Sequence, residues 1–389
     1  MIPYGRQNIS KDDIDAVLEV LSSDFITQGP KVPEFEESLC NYTGAKFASV
    51  CNSATSALHI ACLALGLSKD DILWTSPITF VASSNAALYC GAKVDFVDID
   101  PLTYNMCPLK LEEKLLDASK KNILPKIIIP VHLCGQSCDM KKIKELCDKY
   151  DVKVIEDASH AIGGKYLNEP IGNCRYSDIT VFSFHPVKII TTAEGGAALT
   201  NQKGLQNKMN LLRSHGITKN DAKMIGEGSH GSWYYQQIDL GFNYRMTDIQ
   251  AALGISQLKR IDTLILKRHE IASTYNDAFD GVTSVKTPYQ LSSSYSSYHL
   301  YVIRLQLKNI NKTHKEFFEE LRNKGIGVNL HYIPVHLHPF YLNFGFKNGD
   351  FPNSERYYSE AISLPMYPDL SFDDQEFVIR SIIEIASSS

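Results

Sequence analysis

No stretch of the chain approaches the roughly 20 consecutive apolar residues needed to span a bilayer. That excludes a helical membrane anchor within this sequence. No run of lysines and arginines marks a surface for a phosphate backbone, and the formal net charge is −5, which excludes nucleic acid as a partner. The opening segment, Met1 to Asp13, is polar and lacks the apolar centre of a secretory signal, so a cytosolic protein is expected. Internal repeats are missing, and the only biased tracts are short serine-rich patches at 292–297 and 387–389. The nine cysteines are odd in number and irregularly spaced, and none follows Cys174, so they form no disulfide framework and are expected as reduced thiols. Cys134 and Cys138 are four apart, which does not match a zinc pair, and they read as small packing residues.

What is present is ordinary globular material: 389 residues, 44% hydrophobic and 21% charged, enough for one large unit and a smaller one. The first two thirds alternate β-branched runs with helical patterns. Residues 47–51, 93–97, 126–130, 153–156 and 178–182 read as strands. Residues 54–65 are apolar nearly all round, which predicts a buried helix stopped by Gly66. Continuous apolar strands separated by helices predict an α/β fold with a mainly parallel sheet covered on both faces. A single long helical region is expected over 248–278, followed by a smaller α+β unit with a strand at 300–305 and a helix at 315–324. The division expected is 1–250 for the large unit with its N-terminal segment, and 251–389 for the linker helix and small C-terminal unit.

Ligands of open parallel sheets sit beyond the carboxyl ends of the strands. Three groups fall there. Asn52-Ser53-Ala54-Thr55-Ser56 opens a buried helix, where small residues let backbone N–H groups approach an anion and the helix dipole attracts a phosphate; the same residues also suit simple capping. Glu156-Asp157-Ala158-Ser159-His160 ends a strand with a carboxylate that could cap a helix or hold a proton on a pyridine nitrogen. Ser183-Phe184-His185-Pro186-Val187-Lys188 follows the next strand and leads to Thr191-Thr192-Ala193-Glu194-Gly195-Gly196. A lysine in a sheet crevice is desolvated, its pKa falls from about 10.4, and it can form an imine. Gly195 and Gly196 suit a backbone passing close to a bulky ligand. Each group alone is ambiguous. An anion cradle, a pyridine-nitrogen partner and an imine-forming lysine on one sheet edge are together what pyridoxal 5′-phosphate (PLP, or PMP in its amine form) requires.

The stretch Ser183 to Lys188 with Thr191 to Gly196 strongly resembles the DegT/StrS family of sugar aminotransferases. The resemblance extends to Phe25-Ile26-Thr27-Gln28-Gly29-Pro30, Thr79 to Asn85, Val97-Asp98-Ile99-Asp100 and Gly241 to Asp248, nearly the whole chain. Within the family, His331-Tyr332-Ile333-Pro334-Val335-His336 is most similar to members that serve pseudaminic acid biosynthesis. The resemblance implies a fold type I, aspartate-aminotransferase-like homodimer with shared active sites. It implies amino transfer from L-glutamate to C4 of a UDP-4-keto-6-deoxy-N-acetyl-hexosamine. It makes Lys188 the lysine that bonds the cofactor and Asp157 the partner of its ring nitrogen. Ala54, Thr55 and Ser183 would hold the phosphate, Phe80 would stack on the ring, and His160 would lie near the ring hydroxyl. Asn243 would reach the phosphate region of the other subunit, with Arg245 nearby. Tyr4, the Thr27-Gln28-Gly29 turn, Ser56, His185, Arg245 and His331-Tyr332-Ile333-Pro334 become sugar-nucleotide contacts. Their bland alternatives are plain core for Phe80, a structured turn for 27–29, and hydrogen-bonding groups for His331, His336 and His338, which do not read as a metal site. Two rivals stand beside this function: a 3-aminotransferase for a dTDP-3-keto-6-deoxy sugar, and a non-catalytic sensor on the same fold. Lys188 and Asp157 together argue against the second.

Overall fold

The computed structural model describes residues 1–226 and 229–387. Among them, seven strands form one central sheet: Phe47–Cys51 (β1), Ile72–Thr75 (β2), Lys93–Phe96 (β3), Ile127–Ile129 (β4), Lys153–Asp157 (β5), Ile179–Ser183 (β6) and Gly196–Thr200 (β7). Their spatial order is β1-β7-β6-β5-β4-β2-β3. The pairings from β3 through β6 are parallel, whereas β7 runs antiparallel to both β1 and β6. Two strands were not expected. β2 is short and holds Trp74, and β7 is the small-residue run Gly-Ala-Ala-Leu-Thr, which lacks β-branched density.

Side chains alternate across the strands, so each strand feeds two cores. Leu73, Ile127, Ile129, Ile155 and Val181 pack with Leu58, Ala61 and Cys62 of the helix Ala54–Ala64 on one face. Trp74, Ile128 and Val154 pack on the other with Leu111 and Leu115 of helix Pro108–Lys121 and with Ile143 and Leu146 of helix Met140–Lys149. Both faces being covered explains why these strands read as continuous apolar runs.

The helical region after 247 is two helices, Asp248–Leu258 and Ile261–Phe279. The break falls at Lys259-Arg260, where the Arg260 guanidinium donates to the Asn8 carbonyl at 2.5 Å and to Asp13 Oδ2 at 2.7 Å. No proline or glycine announced it. Thr247 starts the first helix with a capping box to Gln250.

The last third builds its own core on an antiparallel sheet of Val285–Lys286, Tyr301–Leu305 and Ala361–Leu364. Tyr275, Ile303, Leu321 and Ile382 meet in it. The N-terminus joins this part: Ile2 bridges Ile326, and the Met366 amide donates to the Tyr4 carbonyl at 3.0 Å. Tyr4 is thereby carried towards the sheet edge.

Because β1, β5 and β6 point the same way, Cys51, Asp157 and Ser183 end at one edge, and β7 begins there with Gly196. A Cβ on Gly196 would stand 2.4 Å from the Ala54 nitrogen and 2.5 Å from its Cα. On Gly195 it would stand 2.1 Å from Thr192 Oγ1. The close approach expected of these glycines is therefore to the protein itself, where β7 passes the start of the helix, and it needs no ligand to explain it.

Candidate active site

A cavity of about 590 Å³ opens at that edge, within the range of small-molecule sites. Each group forecast at a strand end contributes to it.

The helix Ala54–Ala64 enters through Ser53, whose Oγ accepts from the Ser56 amide at 3.1 Å. Capping thus occupies the third amide of the helix. The amides of Ala54 and Thr55 precede any intrahelical carbonyl and line the cavity. Ser183, at the end of β6, presents a hydroxyl to the same space. Two backbone donors at a helix N-terminus beside a serine hydroxyl fit a phosphate. Capping uses one amide and leaves the two before it for an anion.

Glu156 and Asp157 are adjacent, so alternation sends them to opposite faces. Glu156 pairs with His132 at 2.8 Å, away from the opening. Asp157, only 5% exposed, lines the cavity. Its Oδ2 accepts from Ser83 Oγ at 2.6 Å and its Oδ1 from the Ser159 amide at 3.1 Å. Ser83 in turn meets Thr79 Oγ1 at 2.8 Å. With the Ser83 proton given to Asp157, Thr79 is the donor of that pair. This chain fixes the carboxylate, and the sequence reading assigned neither Thr79 nor Ser83 a role. Both lie in the Thr79 to Asn85 segment that carried the family resemblance, and their four-residue spacing was a second signal.

Lys188 sits in a loop closed on itself. The Phe184 amide donates to the Gly195 carbonyl at 2.9 Å, the Thr192 amide to the Phe184 carbonyl at 3.0 Å, and the Lys188 amide to the His185 carbonyl at 2.9 Å. Burial pulls the Lys188 ammonium down to about 8, against the opposing pull of Asp157. A sizeable neutral fraction at physiological pH makes it a usable nucleophile.

The remaining wall is aromatic and polar. Phe80, His160, His185, His331, Tyr332 and Tyr4, all singled out in the sequence, line the cavity. His299 and Asn329 join them without having been foreseen. A histidine at the start of a strand carries no signal of its own, yet His299 Nδ1 is buried with no partner among the described residues. Burial, followed by the nearby Lys188 charge, pushes His331 down to about 3, and burial likewise holds His160 and His299 well below the usual imidazole range. These three imidazoles therefore face the cavity neutral.

Several forecast contacts are not among the lining residues of this chain. Ser56 gives its hydroxyl to Asn52 Oδ1 at 2.7 Å. Thr27, Gln28 and Gly29 form a turn held by Asp248, whose carboxylate accepts the Gly29 and Lys31 amides at 2.8 Å each. Ile333 and Pro334 follow Tyr332 in the chain and leave the cavity. Asn243 and Arg245 lie along the end of β1, where Cys51 bridges Arg245 and the Asn52 amide donates to the Tyr244 carbonyl at 2.9 Å.

The donor set fits PLP: a phosphate cradle, a fixed carboxylate and a desolvated lysine open on one cavity. The model of the DegT/DnrJ/EryC1/StrS aminotransferase family matches residues 7–383. UDP-4-amino-4,6-dideoxy-N-acetyl-β-L-altrosamine transaminase of Campylobacter jejuni subsp. jejuni serotype O:23/36 is 42% identical over 385 residues, covering 99% of this chain and 97% of its own. Among solved structures, Helicobacter pylori PseC, an aminotransferase involved in the biosynthesis of pseudoaminic acid, superimposes with a TM-score of 0.90 at 35% identity, covering all of both chains. Spr1654 of Streptococcus pneumoniae in its PMP form gives a TM-score of 0.90 at 30% identity, covering 99% of each chain.

Proposed function

The chain belongs to the DegT/DnrJ/EryC1/StrS aminotransferase family and is a PLP-dependent sugar aminotransferase; from that premise we propose that it moves an amino group from L-glutamate to C4 of a UDP-linked 4-keto-6-deoxy-N-acetyl-hexosamine. When bound, PLP supplies the electron sink that lets a C–H bond next to an amine be broken. The Ala54 and Thr55 amides and the Ser183 hydroxyl would bind its phosphate. Asp157, oriented by Ser83 and Ser159, keeps a proton on the pyridine nitrogen. Lys188 Nζ would hold the cofactor covalently at rest and, once free, would take the proton from the donor Cα and later deliver one to the sugar C4. The aromatic wall of Phe80, Tyr332 and Tyr4 orients ring and sugar and keeps water out.

The observation that carries this reading is the convergence of Lys188, Asp157 and the helix cradle on one cavity. The sugar assignment rests on the relatives' activity. A homodimer in the cytosol is part of the proposal. Asn243, exposed in the single chain, is free to reach a second copy. Ile14, Leu18 and Leu21 form an outward stripe on one helix, each more than half exposed, and Phe25 and Ile26 extend it. Such a stripe is suited to cover by a like chain. No helix of the described residues is long and apolar enough to cross a membrane. The test is a panel of keto-sugar nucleotides with glutamate, with products identified by NMR. Amination at C4 of the UDP-4-keto sugar is expected; turnover of a dTDP-3-keto sugar alone would overturn the assignment.

A further inference from the structure

Tyr332 and His160 share a hydrogen bond whose direction the surroundings decide. The Cys134 backbone amide donates to His160 Nδ1 at 3.3 Å, and an amide N–H can only donate. Nδ1 therefore carries no proton. His160 is 5% exposed, and burial, then the nearby Lys188 and His331, holds it neutral. A neutral ring has one N–H, so it must sit on Nε2. That atom lies 3.1 Å from Tyr332 Oη, and the Tyr332 oxygen is the acceptor. The phenol's own proton is left over. Tyr332 lines the cavity with Lys188 and Asp157, and no other protein group among the described residues takes that proton.

We propose that Tyr332 is a ligand-binding donor, its O–H turned by His160 into the cavity to meet an oxygen acceptor on the bound ligand. His160 acts through Tyr332 and is a positioning residue. The acceptor is an oxygen of either the PLP ring or the sugar, and the two are separable by experiment. The inference rests on the functional reading above and adds to it a polarity: the wall offers a proton here. Phe80, whose ring lies 6.2 Å from that of Tyr332, borders the same opening and supplies no competing acceptor.

The test measures Kd of the apo-protein for PLP and of the holoenzyme for UDP-N-acetylglucosamine. Tyr332→Phe removes only the hydroxyl. It should weaken one of the two ligands by roughly five- to tenfold, the scale of one hydrogen bond. Weaker PLP places the acceptor on the cofactor, and weaker UDP-N-acetylglucosamine places it on the sugar. His160→Leu should reproduce the same loss, and His160→Gln, which keeps an acceptor for Cys134 and a donor for Tyr332, should restore most of it. In the Tyr332→Phe background, His160→Leu should add little, because the two act as one unit. A structural role for His160 alone would give additive losses and no rescue. If wild-type protein binds both probes and Tyr332→Phe binds them equally well, the inference is overturned. Failure of wild-type protein to bind PLP at all would instead contradict the functional reading.

Discussion

Asp157 is a single carboxylate held by two neighbours, Ser83 and Ser159, and its consequence is specific. Asp157→Asn keeps the shape and the hydrogen bond from Ser83 but cannot stabilise a protonated ring nitrogen. Losing a pre-placed charge of this kind commonly costs a factor of roughly 10²–10³ in rate. PLP affinity should fall much less, because the Ala54, Thr55 and Ser183 cradle is untouched. Single-turnover kinetics with glutamate checks this, and a rate within about threefold of wild type would reduce Asp157 to a capping residue. Lys188 makes a prediction in pH. Its neutral form is the nucleophile, and burial lowers its pKa from 10.5 to about 8. Capture of PLP by the apo-protein should therefore quicken as pH rises through about 8 and then level off. A rate still climbing near 10.5 would show an ordinary, solvated lysine. Each residue was ambiguous alone and became legible only because three groups at neighbouring strand ends, together with the family resemblance, pointed to one ligand. Ser83 and His299 were not legible, since their roles depend on what folds against them: Ser83 on β5, and His299 on a wall built from distant segments.

At the scale of elements, the apolar strands were readable because helices cover both faces of the sheet. β7 was not, because its residues are small. Smallness is its function in the fold: it lies between β1 and β6 and begins against the helix Ala54–Ala64. Gly196→Ala should push the Ala54 backbone aside, since the new Cβ would sit 2.4 Å from the Ala54 nitrogen. Overpacking of this sort costs about 1–3 kcal/mol. PLP affinity should drop with it, as the displaced amide belongs to the phosphate cradle. Gly204→Ala is the control, with nothing within 4 Å of the added carbon. Thermal melts and PLP titration of the two variants decide the point; equal behaviour would mean that the helix start is not fixed by β7. The break at Lys259-Arg260 escaped notice for a related reason. It is made by Arg260 reaching Asn8 and Asp13, more than 240 positions away.

At the scale of the whole molecule, one chain supplies the cavity but not every forecast contact. Asn243 and Arg245 lie outside it, as the proposed shared-site homodimer would require. Mixing Lys188→Ala chains with Asn243→Ala chains should then restore activity, because each heterodimer holds one intact site. No recovery in verified heterodimers would confine the site to a single chain. The ligand edge of the sheet could be placed from the sequence, since strand ends are local, whereas the proposed reach of one copy into another rested on the family resemblance alone. The central claim, that Lys188 is the group that bonds the cofactor in this cavity, has a direct test. PLP-loaded protein is reduced with borohydride, digested and mapped by mass spectrometry. The account predicts one pyridoxyl-modified lysine, Lys188; a label on any other lysine, or none, would contradict it.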